Sequence, residues 1–125
     1  MNNKNSMMYW IITVISAALL FAGGLLYLTQ GEEQVREFTH LGYPTYFLTM
    51  LGTGRILGAL VLVVPRFPRL KEWAYAGFAF DFIGASISHA IVRDSLFEIA
   101  FPLISLVIVM LSWGLRPPSH RFAYE

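Results

Sequence analysis

The chain has 125 residues, enough for one compact unit; 56% are hydrophobic and only 14% charged. A soluble fold of this size has no room to hide so much apolar surface. The formal net charge of +1 gives no electrostatic case for a nucleic-acid partner, and the absence of cysteine removes disulfides, thiol redox chemistry, cysteine metal sites and c-type haem attachment. His40, His89 and His120 show no metal-site spacing, and no phosphate loop, Walker motif or Gly-x-Ser-x-Gly elbow is present. The sequence shows no diagnostic metal ligand set and no evident catalytic nucleophile; two histidines with Glu37 or Glu98 nearby could hold a metal, but their spacing does not point to one.

A bilayer core of about 30 Å needs roughly 20 mostly apolar residues as helix. Four stretches meet that length, at residues 9–28, 46–64, 73–91 and 97–115. The first is expected as an uncleaved helix, because its apolar run is long for a signal peptide and no small-residue cleavage site follows. After it comes a polar connector with Gln30-Gly31-Glu32-Glu33. Within that connector Val35, Phe38 and Leu41 recur at threes, and Gly42 and Pro44 close the run. This spacing predicts a short helix lying on the membrane surface. The segment from Pro65 to Glu72 separates the second and third stretches, Arg93-Asp94-Ser95 separates the third and fourth, and Arg116-Pro117-Pro118 ends the fourth. The expected fold is all-α: residues 1–125 form one transmembrane four-helix bundle.

Orientation follows from Lys and Arg in the short loops. Lys4, Arg66, Arg69, Lys71, Arg116 and Arg121 make six on one side, against Arg36 and Arg93 on the other. Both termini are expected in the cytoplasm, in a multi-pass protein of the cytoplasmic (inner) membrane. Aromatic residues near the borders, such as Tyr9, Trp10, Trp73 and Trp113, suit the headgroup region.

Two charges interrupt the spans. Arg55 lies mid-way along the second stretch and Asp81 near the middle of the third. The two stretches run in opposite directions, so the charges fall at similar depth, where an isolated ion is costly. Small residues share their faces: Gly52, Gly58 and Ala59 around Arg55, and Gly77, Gly84, Ala85 and Ser88 around Asp81. A bidentate Arg55–Asp81 pair is the expectation. It serves either as structural glue or as the floor of a polar pocket that opens outward under His89, Ser88, His40 and Tyr43. Phe78 and Leu62 are placed to close that floor from below. Tyr27 and Glu98 stand near the same mouth.

Thr39-His40-Leu41-Gly42-Tyr43-Pro44, Lys71-Glu72-Trp73-Ala74-Tyr75-Ala76-Gly77 and Gly84-Ala85-Ser86-Ile87-Ser88-His89 carry a resemblance over nearly the whole chain. The sequence resembles the DoxX-like family of small bacterial four-helix membrane proteins. The resemblance implies a cytoplasmic-membrane location and, through the wider DoxX/DoxD group, a link to quinone-dependent respiratory chemistry. Relatives often carry Lys where Arg55 stands. Arginine effectively keeps its proton, which points to a clamp for an anion or carbonyl rather than a proton relay.

The leading expectation is a binding module. It holds a quinone or another lipophilic small molecule near Arg55 and Asp81 and serves membrane redox partner proteins. The alternatives are an assembly subunit without a ligand, and an enzyme or transporter for a small lipophilic compound. No nucleophile and no inverted repeat favour the last. A spare small-residue face leaves room for a homodimer.

Overall fold

In the computed structural model, residues 3–120 are described. Arg121, one of the charges counted for orientation, lies outside them. Five α-helices follow in chain order: α1 Asn3–Leu28, α2 Glu32–Leu41, α3 Tyr46–Val63, α4 Pro68–Ile91 and α5 Leu96–Gly114. A 3-10 turn, Pro118–His120, closes the series, and no strand occurs among the described residues.

The boundaries have local causes. α4 starts at Pro68 rather than at residue 73, because proline suits the first helical turn and Phe67 before it adopts a left-handed φ of 58°. Ser95 caps α5 by accepting the Glu98 backbone N–H at 3.4 Å. α1, α2 and α4 each end in a residue with positive φ, respectively Gln30, Gly42 and Arg93. The residue after each returns a hydrogen bond five positions back: Gly31 N to Leu26 O, Tyr43 N to Phe38 O and Asp94 N to His89 O. These Schellman-type endings satisfy carbonyls that a helix end leaves open. They also fix where Tyr43 and Asp94 point.

Three helical segments, Lys4–Leu28, Tyr46–Val63 and Leu96–Gly114, are long and apolar enough to cross a membrane. α4 has 24 residues, about 36 Å at 1.5 Å per residue, but is more polar. Its polar groups turn inward: Lys71, Ser86, Ser88 and His89 are buried, while Trp73, Phe80, Ile83, Ile87 and Ile91 are exposed.

The long helices pack in a ring, α1 on α3, α3 on α4, α4 on α5 and α5 on α1, with α2 against α3. One core joins all four, built from Ala17 and Leu20, Ala59 and Leu62, Tyr75, Phe78 and Phe82, and Val109. Leu62 and Phe78 sit in this core. At the end that carries the termini, the Lys71 ammonium is fully buried. It donates to the carbonyls of Val61 at 2.6 Å, Leu62 at 3.4 Å and Val64, so a cation caps the negative end of α3. Nearby, Ser112 bonds Thr13 at 2.5 Å and Tyr75 at 2.7 Å, and Tyr9 Oη bonds His120 Nδ1 at 2.9 Å. Burial and the Lys71 charge push the His120 imidazole down to about 4, so it stays neutral at ordinary pH.

α1 and α3 approach closely through glycine. A Cβ on Gly52 would lie 2.8 Å from the Gly24 carbonyl, and one on Gly24 would lie 2.9 Å from the Gly52 carbonyl. Backbone cannot yield as a side-chain tip can, so Gly52→Ala is expected to cost about 1–3 kcal/mol through overpacking. Gly54, two residues on, meets nothing within 4 Å, and Gly54→Ala is expected to gain about 0.5–1 kcal/mol in helix propensity. Unfolding of both variants in mixed micelles titrated with a denaturing detergent checks this. Equal midpoints would remove the close approach as a determinant of packing.

Candidate functional site

α3 contributes Arg55 and α4 contributes Asp81. The structure brings them together: Arg55 Nε donates to Asp81 Oδ2 at 2.7 Å and Nη2 to Oδ1 at 2.9 Å. This is a fork-to-fork pair, the strongest arrangement open to these two groups. Their side chains are only 14% and 8% exposed, which leaves little water to weaken the attraction. The Tyr27 ring from α1 lies 4.5 Å from Arg55 Cζ and the Phe82 ring 5.7 Å, so aromatic faces flank the cation. Three helices thus fix one guanidinium.

Arg55 borders two cavities. The first, about 290 Å³, lies between α3 and α4 beneath α2, and its walls include Tyr27, Phe38, Tyr43, Phe47, Asp81 and Gly84. The second, about 720 Å³, lies on the α5 side, against Glu37, His40, Phe82, His89, Glu98 and Phe101. Tyr27, Glu37 and Ala85 border both. The first cavity is mostly aromatic and aliphatic with a polar floor. Gly84 explains why space exists there, since a Cβ at that position meets nothing within 4 Å.

α2 roofs the first cavity. Its one buried residue, Phe38, meets the rings of Tyr27, Tyr43 and Phe47 at 5.2 to 6.1 Å, and Tyr43 stacks on Phe47 at 4.9 Å. Tyr43 Oη also bonds the Ser88 hydroxyl, which donates onward to the Gly84 carbonyl at 2.8 Å. α2 is tied a second time by Asp94 in the α4–α5 turn. His40 Nε2 meets Asp94 Oδ1 and His89 Nδ1 meets Asp94 Oδ2, each at 2.7 Å. These bonds hold the Asp94 carboxyl below the usual carboxylate range, His89 contributing most, and Asp94 in turn raises His40.

The residues singled out from sequence divide accordingly. Arg55 and Asp81 both border the first cavity, and Arg55 also borders the second. Tyr43 walls the first cavity; His40 and His89 wall the second. Ser88 sits behind the wall, where it positions Tyr43. Glu37, legible in sequence only as a conceivable metal ligand, borders both cavities. One participant escaped the sequence reading: Asp94 joins both histidines, yet it reads in sequence as an ordinary turn residue. Its only signal is its distance of five positions from His89, which matters once a helix ends between them.

Removal of one partner from a buried pair leaves a charge without compensation, at about 3–5 kcal/mol. Asp81→Asn is expected near the low end of that range, because the cavities beside Arg55 have space for water. The double variant Arg55→Met/Asp81→Leu is expected to be more stable than Asp81→Asn. Detergent-titration midpoints of both test this, and parental stability of Asp81→Asn would show that the pair contributes nothing to the fold.

The apolar helices place the protein in a lipid bilayer. A curated relative is the uncharacterized protein YdgD of Bacillus subtilis strain 168. It is 29% identical over 108 residues, which cover 83% of this chain and 94% of the relative. No solved structure matches the chain. The DoxX-like family matches residues 11–112, a range that includes the Arg55–Asp81 pair, both cavities and Asp94. A small membrane protein matched over so much of its length belongs to the DoxX-like family.

Proposed function

We propose that the protein is a four-span bundle of the cytoplasmic membrane that binds a lipophilic carbonyl compound, a quinone by preference, on Arg55, and serves a membrane redox system. The observation that carries this reading is a guanidinium locked by Asp81 at the border of two aromatic-walled cavities. Two of its five N–H groups are committed to Asp81, and the others are suited to a carbonyl oxygen. Tyr27, Tyr43 and Phe47 offer flat faces to a ring, and the apolar helix faces suit a hydrocarbon tail. Asp81 holds the fork in place, which preorganises the donor. Tyr43, His40 and His89 form the rim, with Ser88 as the support of Tyr43.

In this reading α4 is the fourth span. Its inward polar groups account for its lower hydropathy, and its outer face of Trp73, Phe80, Ile83, Ile87 and Ile91 meets lipid. The Lys and Arg asymmetry puts both termini in the cytoplasm and α2 flat on the outer surface. Reporter fusions after Lys4, Glu33, Arg69, Asp94 and Glu125 are expected to read in, out, in, out, in. An outer signal at Arg69 would reverse the orientation.

Ligand binding is tested by mass spectrometry of organic extracts from protein purified in mild detergent. A Cβ at Gly84 meets nothing within 4 Å, so Gly84→Leu grows into open space beside the first cavity; it is expected to fold and to lose co-purified quinone at least about tenfold, given that filled pockets exclude their ligands sterically. Equal recovery from parent and Gly84→Leu would end the pocket reading and leave a partner-binding subunit as the better account.

A further inference from the structure

The α2 end holds a second constellation, distinct from the Arg55–Asp81 floor. His89 lies in the last turn of α4, Asp94 sits in the turn that follows, and Glu98 lies in the first turn of α5. One ligand atom from each comes within 4.8 Å of the others. We propose that His89 Nδ1, Asp94 and Glu98 bind a divalent transition-metal cation, with Glu37 and His40 as outer supports. The sequence spacing gives no hint of this, because the set is assembled by a helix ending and the turn after it.

The geometry favours a cation over a plain hydrogen-bond network. His89 Nδ1 is 2.7 Å from Asp94 Oδ2 and 3.6 Å from Glu98 Oε2. A zinc-like ion with bonds of about 2.0–2.2 Å separates neighbouring ligand atoms by about 3.0–3.5 Å. The Glu98 separation is already close to that, and the Asp94 separation reaches it when a cation takes the place of the shared proton. A proton satisfies His89 and Asp94 alone. It gives Glu98, a second carboxylate at the same nitrogen, no bond of its own. The positive end of α5 favours Glu98 near this place, but it does not require a carboxylate oxygen to face the imidazole.

The supports are of the kind that metal sites use. The other ring nitrogen of His89, Nε2, lies 3.4 Å from Glu37 Oε1, and a carboxylate on that side favours the proton on Nε2, which leaves Nδ1 to bind metal. The second oxygen of Asp94 accepts from His40 Nε2 at 2.7 Å, which fixes the carboxylate plane. Backbone anchors both acids: Asp94 N–H bonds the His89 carbonyl at 2.9 Å, and Ser95 caps the Glu98 N–H. One imidazole and two carboxylates suit Zn²⁺, Mn²⁺, Fe²⁺ or Co²⁺, and the lack of thiolates disfavours Cu⁺. His89, Glu98, Glu37 and His40 all border the larger cavity, which gives an ion a path. The site stands whether or not a lipophilic molecule occupies the cavities.

The test uses full-length protein in mild detergent, freed of any affinity tag and stripped with a chelator. Co²⁺ is titrated in by visible absorption and calorimetry, and Zn²⁺ is used to displace it. The expected result is one equivalent with a d–d band that Zn²⁺ abolishes. Glu98→Gln and Glu37→Gln are each expected to weaken binding about 10–100-fold, the range seen when ligands and their outer partners are altered. Both side chains are about half exposed, so these variants keep the fold, which circular dichroism checks. Glu33→Gln removes the same charge at the same end without touching the set, and is expected to leave affinity unchanged. The proposal is overturned by the absence of saturable one-equivalent uptake, by parental affinity in Glu98→Gln, or by an equal loss in Glu33→Gln.

Discussion

One ion pair organises the interior. A charged guanidinium in an apolar layer has few neighbours able to compensate it, and Asp81 is the group that does so. Once its fork must meet that carboxylate, α3 and α4 have one relative height and rotation. The same register sets Gly58 against Phe78, where a Cβ would lie 2.6 Å from the ring. That close α3–α4 contact and the ion pair are thus two expressions of one alignment. A hydrophobic isostere of the pair would supply similar stability with less constraint on register. The conformation of Arg55 is therefore set by the fold, and any molecule beside it meets a donor that is already oriented.

The α2 end is built on a different logic. Few apolar groups of α2 are buried, and Phe38 is the only one of its residues to enter the core fully. Directional contacts therefore carry its attachment: an aromatic cluster on one side, and the His40–Asp94–His89 chain on the other. Such a roof is firm when its polar links are complete and loosens when one is lost, because a short helix alone is marginal. This couples the roof to the chemistry of Asp94, which sits outside both helices that it joins.

The helices were legible because twenty-residue apolar runs have no other stable use. The charged pair was legible from depth, since two opposite charges at the middle of neighbouring stretches have few other solutions. The terminal-end cluster was not. Thr13, Tyr75 and Ser112 are single hydroxyls in apolar text, and a hydroxyl that can bond its own helix gives no sign of a partner on another. Asp94 was hidden for a related reason. Arg93 takes a left-handed conformation without being glycine, so nothing in the letters marks the chain reversal that turns Asp94 back onto His89. Where the ending was written with glycine, at Gly42, the helix boundary was read correctly.

Lys71 shows how one charge can act at two times. While the chain is being inserted, helices have not yet met, and a lysine near the start of α4 helps in the proposed orientation to hold the connector before it in the cytoplasm. In the finished protein the same ammonium is withdrawn from lipid headgroups altogether, because the last carbonyls of α3 have closed around it. The mature surface is therefore less basic on this side than the sequence suggests. Arg66 and Arg69 remain exposed there as neighbours for anionic lipid, and the signal that sited the loop has become part of its skeleton.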